Sequence, residues 1–314
     1  MEAGSTTATR APRPSALGAS RRRIGEDLIK GVLFLAALIS VVTTTGIVLS
    51  LTTETIAFLG EVGVASFLFG TEWSPLFADP SFGVLPLLTG TLLVTAIAMV
   101  VAVPLGLGAA VYLSEYATPR VRKTLKPILE LLAGVPTIVF GYFALTFFTP
   151  NVLRDLLHVD VQIFNALSAG IIMGFMIVPT IASLSQDAMS AVPSALREGA
   201  YGMGATKLQV STRVVFPAAL SGIVAAVVLG ISRAIGETMI VLVAAGQAPN
   251  LTADPRQSVE TMTTFIAASA KGDLPTGSIG YQTIFAVGMA LFLMTLLMNA
   301  VSIRFVRRFR QVYE

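Results

Sequence analysis

Arg233 and Glu237 are two ionisable residues inside a long apolar stretch, and they are four residues apart. On a helix this spacing places both side chains on one face. An arginine at the centre of a membrane helix costs about 2.5–3.5 kcal/mol, so it needs a partner, and Glu237 is the expected one. A guanidinium also presents planar donors that match the oxygens of an oxyanion. The pair therefore predicts an anion pathway, and a buried structural salt bridge is the alternative interpretation.

Several residue types that metal binding or catalysis would need are missing from the sequence. There is no cysteine, His158 is the single histidine, and no GxxxxGK[ST] loop occurs. Without cysteine there is no disulfide framework and no thiolate metal site. Without that loop the chain does not bind ATP in the P-loop manner. We therefore expect a protein that is not an enzyme, holds no metal and no cofactor, and takes any energy of ATP from a partner.

The composition is that of a membrane protein. Of the 314 residues, 54% are hydrophobic and 12% are Asp, Glu, Lys or Arg, and the charged share is about half of the roughly 25% usual in globular chains. A spanning helix needs about 20 mostly apolar residues. The charge-free stretches predict an all-α integral membrane protein with six transmembrane helices, near residues 30–51, 84–113, 126–148, 163–186, 211–245 and 278–303.

The segments around these helices differ in composition. Residues 1–27 are rich in Ala, Ser, Pro and Arg, which predicts a disordered cytoplasmic N-terminal tail. Residues 53–69 are too short and too charged to span, and they predict an amphipathic helix at the external interface. The expected organisation is thus a first transmembrane helix plus this amphipathic helix over 28–83, a transmembrane core over 84–303, and a basic cytoplasmic tail over 304–314.

Positive charge predicts the orientation. Of the 21 Lys and Arg residues, 17 lie on one side of the predicted helices, three lie on the other side, and Arg233 lies within a helix. The positive-inside rule places the 17, and with them both termini of this multi-pass chain, in the cytoplasm. The net charge of +3 is too small to imply a nucleic-acid partner.

The external loops carry nine acidic residues against three basic ones. A negative outer surface repels a free anion, although salt screens this repulsion. Such a surface suits delivery of an anion by a docked partner better than capture from solution.

The cytoplasmic segment 190–217 differs from a plain connector. Pro193 suits the first turn of a helix, and Gly204 lies where a glycine can end one. Thr206 and Gln209 have the spacing of a capping box for a second helix. A short helix ended by glycine predicts a rigid projection that another protein could grip.

This segment resembles the EAA-x3-G-x9-I-x-L-P signature of ABC importer permeases. The matching residues are Glu198-Gly199-Ala200, Gly204 and Val214-Val215-Phe216-Pro217, with mild departures at positions 199, 214 and 216. The resemblance implies the type I ABC importer (MetI-like) permease fold, with a coupling loop over 190–213 that docks on an ATPase. It implies ATPase-coupling roles for Arg197, Glu198, Gly199, Ala200, Gly204 and Pro217.

Three further stretches resemble the phosphate-specific transport permeases, and a fourth, Phe67–Pro75, resembles their C-type (PstC) subunit. The three are Glu130–Gly141, Arg197–Thr206 and Arg233–Ile240. The resemblance implies an ATP-driven importer of inorganic phosphate, with a PstA-type sister permease, a PstB-type ATPase dimer, a PstS-type external phosphate-binding protein and surrounding membrane lipid. Import of another oxyanion and an A-type identity are the open alternatives. An ion-gradient-driven transporter would need intramembrane coupling residues beyond Arg233 and Glu237, and the sequence has none.

Overall fold

The computed structural model describes residues 24–75, 77–272 and 274–309. Regular structure in these residues is helical, and the β-type contact among them is an isolated bridge between Trp73 and Phe82. Helices suit an apolar chain because each backbone group finds its partner within the same segment. The α-helices are α1 (Ile24–Val62), α2 (Val64–Phe69), α3 (Leu85–Val111), α4 (Pro119–Ala133), α5 (Thr137–Phe143), α6 (Ala166–Ser190), α7 (Ser194–Gly202), α8 (Lys207–Val210), α9 (Phe216–Ala218), α10 (Leu220–Ile235), α11 (Met239–Ala244), α12 (Met262–Ser269) and α13 (Ile279–Phe309), and π-helical segments cover Tyr112–Tyr116, Ala144–Leu156 and Ser211–Val215.

The chain divides into two compact units, Met1–Leu49 and Ser50–Glu314. The described part of the first unit is the N-terminal portion of α1, where the side chains of residues 26–47 are all exposed. An apolar helix of this kind is typical of a segment surrounded by lipid or by a partner helix. The second unit contains all the other helices and both candidate sites.

Within the described residues, α1, α3, α6 and α13 are long and apolar enough to cross a membrane. Two bent pairs pass the same test, residues 119–133 with 137–156 at 85° and residues 207–218 with 220–235 at 72°. Counting each pair as one span gives the six that the sequence predicts. Pro136 and Pro217 lie close to the bends, and a proline supplies no amide hydrogen for a continuous helix.

The predicted helices over 126–148 and 211–245 are therefore broken rather than continuous. The amphipathic helix predicted over 53–69 also needs correction, because its first part continues α1 to Val62 and only the remainder forms a separate helix, α2. Gly63, with φ of +82°, separates the two. Acidic residues such as Glu54 leave the helical backbone intact, so the break comes at the glycine.

Both predicted tails lie partly outside the described residues. Of the N-terminal tail over 1–27, residues 1–23 lie outside them, and residues 24–27 already belong to α1. Of the basic tail over 304–314, residues 304–309 continue α13, and residues 310–314 lie outside.

The centre of the second unit is the packing of α3 against α6, with α10 against both. Glycines allow the backbones of α3 and α6 to approach closely. A Cβ on Gly170 would lie 2.7 Å from Cβ of Ile97, and one on Gly174 would lie 2.8 Å from the carbonyl oxygen of Ala98. Small residues at helix contacts are the usual means by which helices associate in lipid. This packing positions the side chains of the site described below.

At the end of α3 remote from residues 190–213, the segment leading into α12 is fixed against α3. The amide of Met262 donates to Oγ1 of Thr91 at 3.1 Å. Gly90 leaves room for the carbonyl oxygen of Glu260, which a Cβ at that position would strike. An aromatic cluster covers this region, formed by Phe58, Phe67, Trp73 and Phe265.

Candidate functional site

Arg233 lies in the last turn of α10 and is half-buried against α6. Its Nη1 donates a hydrogen bond to Oγ1 of Thr180 at 3.0 Å, and its Nη2 donates to Sδ of Met176 at 3.8 Å. Met176 and Thr180 are four residues apart and so share one face of α6. Thr180 is about 21 Å from the start of α6 and about 15 Å from its end, at 1.5 Å per residue. The guanidinium therefore lies near the middle of the span.

Glu237 does not pair with Arg233, which corrects the predicted ion pair on one helical face. α10 ends at Ile235 and α11 begins at Met239, so the two charged residues do not share a helix. Oε1 of Glu237 accepts hydrogen bonds from the amides of Met239 at 3.1 Å and Ile240 at 3.2 Å. The first amides of a helix have no partner within it, and a carboxylate there is also favoured electrostatically. Glu237 is thus the cap of α11.

Arg233 consequently forms no ion pair with any carboxylate in the part of the chain that the structure describes. Its two partners are a hydroxyl group and a thioether, which orient the guanidinium without neutralising it. In a medium of low dielectric constant, an uncompensated cation attracts an anion more strongly than it would in water. The site can therefore hold an oxyanion without competition from an adjacent carboxylate.

The coupling segment (residues 190–213) contains the two short helices α7 and α8. Gly204 follows α7 with φ of +82°, and its amide donates to the carbonyl of Tyr201 at 2.9 Å. The predicted capping box is confirmed, since Gln209 N–H donates to Thr206 Oγ1 at 3.4 Å and Thr206 N–H donates to Gln209 Oε1 at 2.8 Å. A Cβ on Gly204 would meet nothing within 4 Å. Its backbone angle, rather than lack of space, is what favours glycine there.

Arg197 points into the protein and joins α7 to two spanning helices. Its guanidinium donates to the carbonyl oxygens of Val192 at 2.6 Å and Met189 at 2.8 Å, at the end of α6. The last carbonyls of a helix lack partners within it, so these bonds satisfy them. Nη2 also contacts Oε1 of Glu115, just beyond α3, at 3.1 Å, and the Glu115 side chain is only 6% exposed. Arg197 therefore fastens the coupling segment to α6 and to the end of α3.

The other candidate coupling residues divide between two faces. Ala200 is buried in an apolar cluster together with residues at the end of α6. Glu198 and Gly199, on the other side of α7, are exposed, and so is Pro217 in α9. Ala200 thus packs α7 against the rest of the protein, while Glu198 and Gly199 lie on its exposed face.

Three residues that complete these sites were not among the sequence-based candidates. Thr180 and Met176 hold Arg233, and Glu115 pairs with Arg197. The available signal for Thr180 was a hydroxyl group in the middle of a charge-free span. The signal for Glu115 was an acidic residue next to a predicted span, on the side of the membrane where basic residues predominate. Neither signal identifies the partner, because the contacts join helices that are distant in sequence.

Comparison with known proteins shows the family to which the chain is similar. The family described as binding-protein-dependent transport system inner membrane component matches residues 102–311. The chain belongs to this family. The matched region of the permease includes the whole coupling segment together with Arg233 and Glu237, so both candidate sites lie in the part that the family shares.

Individual relatives of the permease match over most of their length. The probable ABC transporter permease protein YqgH of Bacillus subtilis is 36% identical, covering 76% of this chain and 80% of its own. The phosphate transport system permease protein PstC of Mesorhizobium japonicum is 34% identical over 85% of each chain. The protein PstC 1 of Mycobacterium tuberculosis is 35% identical, covering 77% and 81% respectively.

Solved structures resemble the permease in fold. A chain of a bacterial alginate ABC transporter in complex with its periplasmic protein has a TM-score of 0.63 at 18% identity, covering 91% of this permease and 98% of that chain. A chain of the inward-facing MetNI methionine ABC transporter has a TM-score of 0.55 at 20% identity, covering 73% and 95%. The predicted all-α ABC permease fold is confirmed, and the family places the permease in the inner membrane as a multi-pass component.

Proposed function

We propose that this permease is the PstC-type subunit of an ATP-driven importer of inorganic phosphate. It lines the translocation pathway together with a PstA-type sister permease. A PstS-type binding protein delivers phosphate from outside, and a PstB-type ATPase dimer hydrolyses ATP on the cytoplasmic side. The relatives named as phosphate permeases support phosphate as the cargo. The observation that carries the proposal is the mid-span Arg233 with only neutral partners.

Phosphate would meet Arg233 at the level of Thr180. The planar donors of a guanidinium match phosphate oxygens in pairs, and the Thr180 hydroxyl can contribute a further hydrogen bond. Release requires that this binding be weak, and a single arginine with neutral neighbours offers one charge rather than several. Glu237 acts indirectly in this scheme, because as the cap of α11 it maintains the break in the chain next to Arg233.

The same helix, α6, connects the coupling segment to the anion site. Arg197 of α7 holds the carbonyl of Met189, and nine residues earlier Thr180 holds Arg233. The two points are about 13 Å apart along the helix axis. Movement of α7 by a docked ATPase would therefore shift α6 and change the surroundings of Arg233. In this scheme Glu198, Gly199 and the turn at Gly204 receive the ATPase.

The decisive test of the anion site is uptake of radiolabelled phosphate by Arg233→Gln in the assembled complex. We expect a loss of at least about tenfold, which corresponds to 1.4 kcal/mol of lost binding in the transition state. Arg120→Gln, which removes an exposed arginine of α4, is the matched control and should transport normally. Uptake by Arg233→Gln at the wild-type rate, with assembly intact, would remove Arg233 from the pathway. Competition by sulfate in the same assay would distinguish another oxyanion as the cargo.

The partners are tested by purifying the tagged permease from its native membrane. We expect an ATPase and a second six-span permease to accompany it. Transport of phosphate by the purified permease alone, without a nucleotide-hydrolysing subunit, would contradict the proposal.

A further inference from the structure

A cavity of about 340 Å³ opens at the end of the permease that faces away from the coupling segment. Its walls come from the segment before α3, from the segment between α11 and α12, and from α12 with the residues after it. None of the residues that hold Arg233 lines it. The walls include Trp73, Ser74, Phe77, Gln247, Glu260 and Phe265.

Two polar groups of this cavity are buried without a partner. Glu260 is 6% exposed, and its carboxyl group makes no hydrogen bond or ion pair with any described residue. Trp73 is 4% exposed, and its indole N–H has no described hydrogen-bond partner. Burial raises the pKa of Glu260 to about 8. Buried polar groups are normally satisfied, so the unpartnered carboxyl group of Glu260 in an open cavity indicates that a ligand completes it. The indole N–H of Trp73 is a donor, as ammonium and guanidinium groups are, so it does not contribute to the choice of a cation.

The cavity has an aromatic wall next to the carboxyl group. The rings of Trp73 and Phe265 meet edge to face at 4.9 Å, and Phe77, 76% exposed, stands at the side open to solvent. Aromatic faces attract cations. A cation in the cavity would also favour the ionised form of Glu260, which then supplies the opposite charge. Among the described residues, no lysine or arginine lines the cavity, so it offers phosphate no opposite charge and is not a second site for the transported anion.

We propose that this cavity receives a lysine or arginine side chain of the external binding protein when that protein docks on the permease. This inference rests on the proposed function, which supplies the binding protein. The external loops carry nine acidic residues, Glu260 among them, against three basic ones, and this excess favours a basic docking face on the partner. Glu260 is held in place for this role, because its backbone carbonyl is packed against Gly90 of α3.

The test is the affinity of the purified binding protein for the complete transporter in phosphatidylcholine nanodiscs. We expect Glu260→Gln to weaken docking by about tenfold or more, since one partner of a buried charge pair is removed. Glu72→Gln, an exposed acid on the same face, is the matched control and should dock as wild type. Docking of Glu260→Gln at wild-type affinity would overturn the proposal.

A second variant covers the case in which Glu260→Gln does not fold. Phe77→Lys places an ammonium group at the exposed mouth, where it should obstruct the incoming cation and weaken docking about tenfold. Wild-type docking by Phe77→Lys overturns the proposal. The proposal is also overturned if the binding protein docks only when the nanodisc contains phosphatidylethanolamine, because the lipid headgroup is then what docking requires. It is overturned as well if millimolar ethylamine displaces the binding protein to the same extent from wild type and from Glu260→Gln.

Phosphate uptake separates the failure of this inference from the failure of the proposed function. If wild type imports phosphate and Glu260→Gln docks and imports equally well, the cavity has no docking role while the importer stands. If the wild-type complex imports no phosphate, the proposed function fails whatever the docking result. Docking that is lost in Glu260→Gln but retained in Glu260→Asp supports the charge-pairing role.

Discussion

The inner end of the permease and its middle and outer parts differ in how their charged groups are paired. At the inner end, Arg197 is saturated by two backbone carbonyls and by Glu115. In the middle, the partners of Arg233 among the described residues are a hydroxyl group and a thioether. At the outer end, Glu260 has no described basic partner.

Arg197 and Glu115 form a complete ion pair within the chain, whereas Arg233 and Glu260 have no oppositely charged partner among the described residues. Arg197 and Glu115 neutralise each other within the chain, so their contribution is mechanical. In the proposed function the charge of Arg233 is complementary to a passing anion, and in the further inference that of Glu260 is complementary to a basic group on the docking protein. Residue type alone does not reveal this distinction, because Arg197 and Arg233 are both arginines in helices.

The largest expected effect on stability is at the inner joint. Arg197→Gln leaves Glu115 buried without its partner, and breaking a buried pair in this way costs about 3–5 kcal/mol. We expect a large drop in the thermal unfolding temperature of the detergent-purified permease. The double variant Arg197→Gln/Glu115→Gln should lose less than the sum of the single losses, and strict additivity would show that the two side chains do not interact.

A smaller effect is expected at the turn of the coupling segment. Gly204→Ala forces a residue with a Cβ into a left-handed conformation, which costs about 1–2 kcal/mol. Hydrogen–deuterium exchange should increase in residues 194–210, and less ATPase should co-purify. Gly202→Ala is the matched control, since Gly202 belongs to α7, has no positive φ and has open space around it. Equal behaviour of the two variants would disprove the role of backbone angle at Gly204.

The unpaired carboxyl group at the outer end predicts a pH dependence of stability. Burial raises the pKa of Glu260 from its usual 4.5 to about 8. The Glu260 carboxyl group ionises at a lower pH in the unfolded chain than in the folded one. The free energy of unfolding therefore falls as pH rises from about 4.5 to about 8, by roughly 1 kcal/mol per pH unit. Thermal unfolding from pH 5 to pH 8 should show this decline in wild type and in Glu72→Gln. A slope that persists in Glu260→Gln would assign it to other groups.

The smallest effect on stability is expected at Arg233. Its charge has no opposite partner among the described residues, so Arg233→Gln removes a desolvated cation and only two neutral contacts. The free energy of unfolding should fall by no more than about 0.5 kcal/mol or should increase, so the unfolding temperature should change little, although transport is lost. A drop as large as that of Arg197→Gln would show that Arg233 is a structural residue, and the contrast between the two arginines would fail.

Local patterns were sufficient to predict much of the fold. Spans follow from long charge-free runs, and the turn of the coupling segment follows from Gly204 and the Thr206–Gln209 box, both of which act within a few residues. The predicted end of the first helix was wrong, because charged residues were expected to end a helix that in fact continues to Val62, just before Gly63. Prolines such as Pro136 indicate a bend, but the sequence does not show that the two pairs turn by as much as 85° and 72°.

The contacts of the site could not be predicted, since they depend on which helices pack together. The four-residue spacing of Arg233 and Glu237 indicated an ion pair only on the assumption of a continuous helix. Gly236 lies at the break, and the unpaired amides of α11 then bind the carboxylate. Glu260 counted in the sequence merely as one of nine external acids, and only the fold shows that it is buried in a cavity.

The glycine contacts between α3 and α6 have a mechanical consequence. Side chains of α3 sit in notches left by Gly170 and Gly174, so neither helix can slide along the other without lifting out of these notches. The two helices should therefore travel as one rigid rod during a transport cycle. Any change of angle between helices must then occur at the bends of the two bent pairs. A cysteine cross-link between α3 and α6 should therefore leave transport unchanged, whereas a cross-link across one of these bends should abolish it.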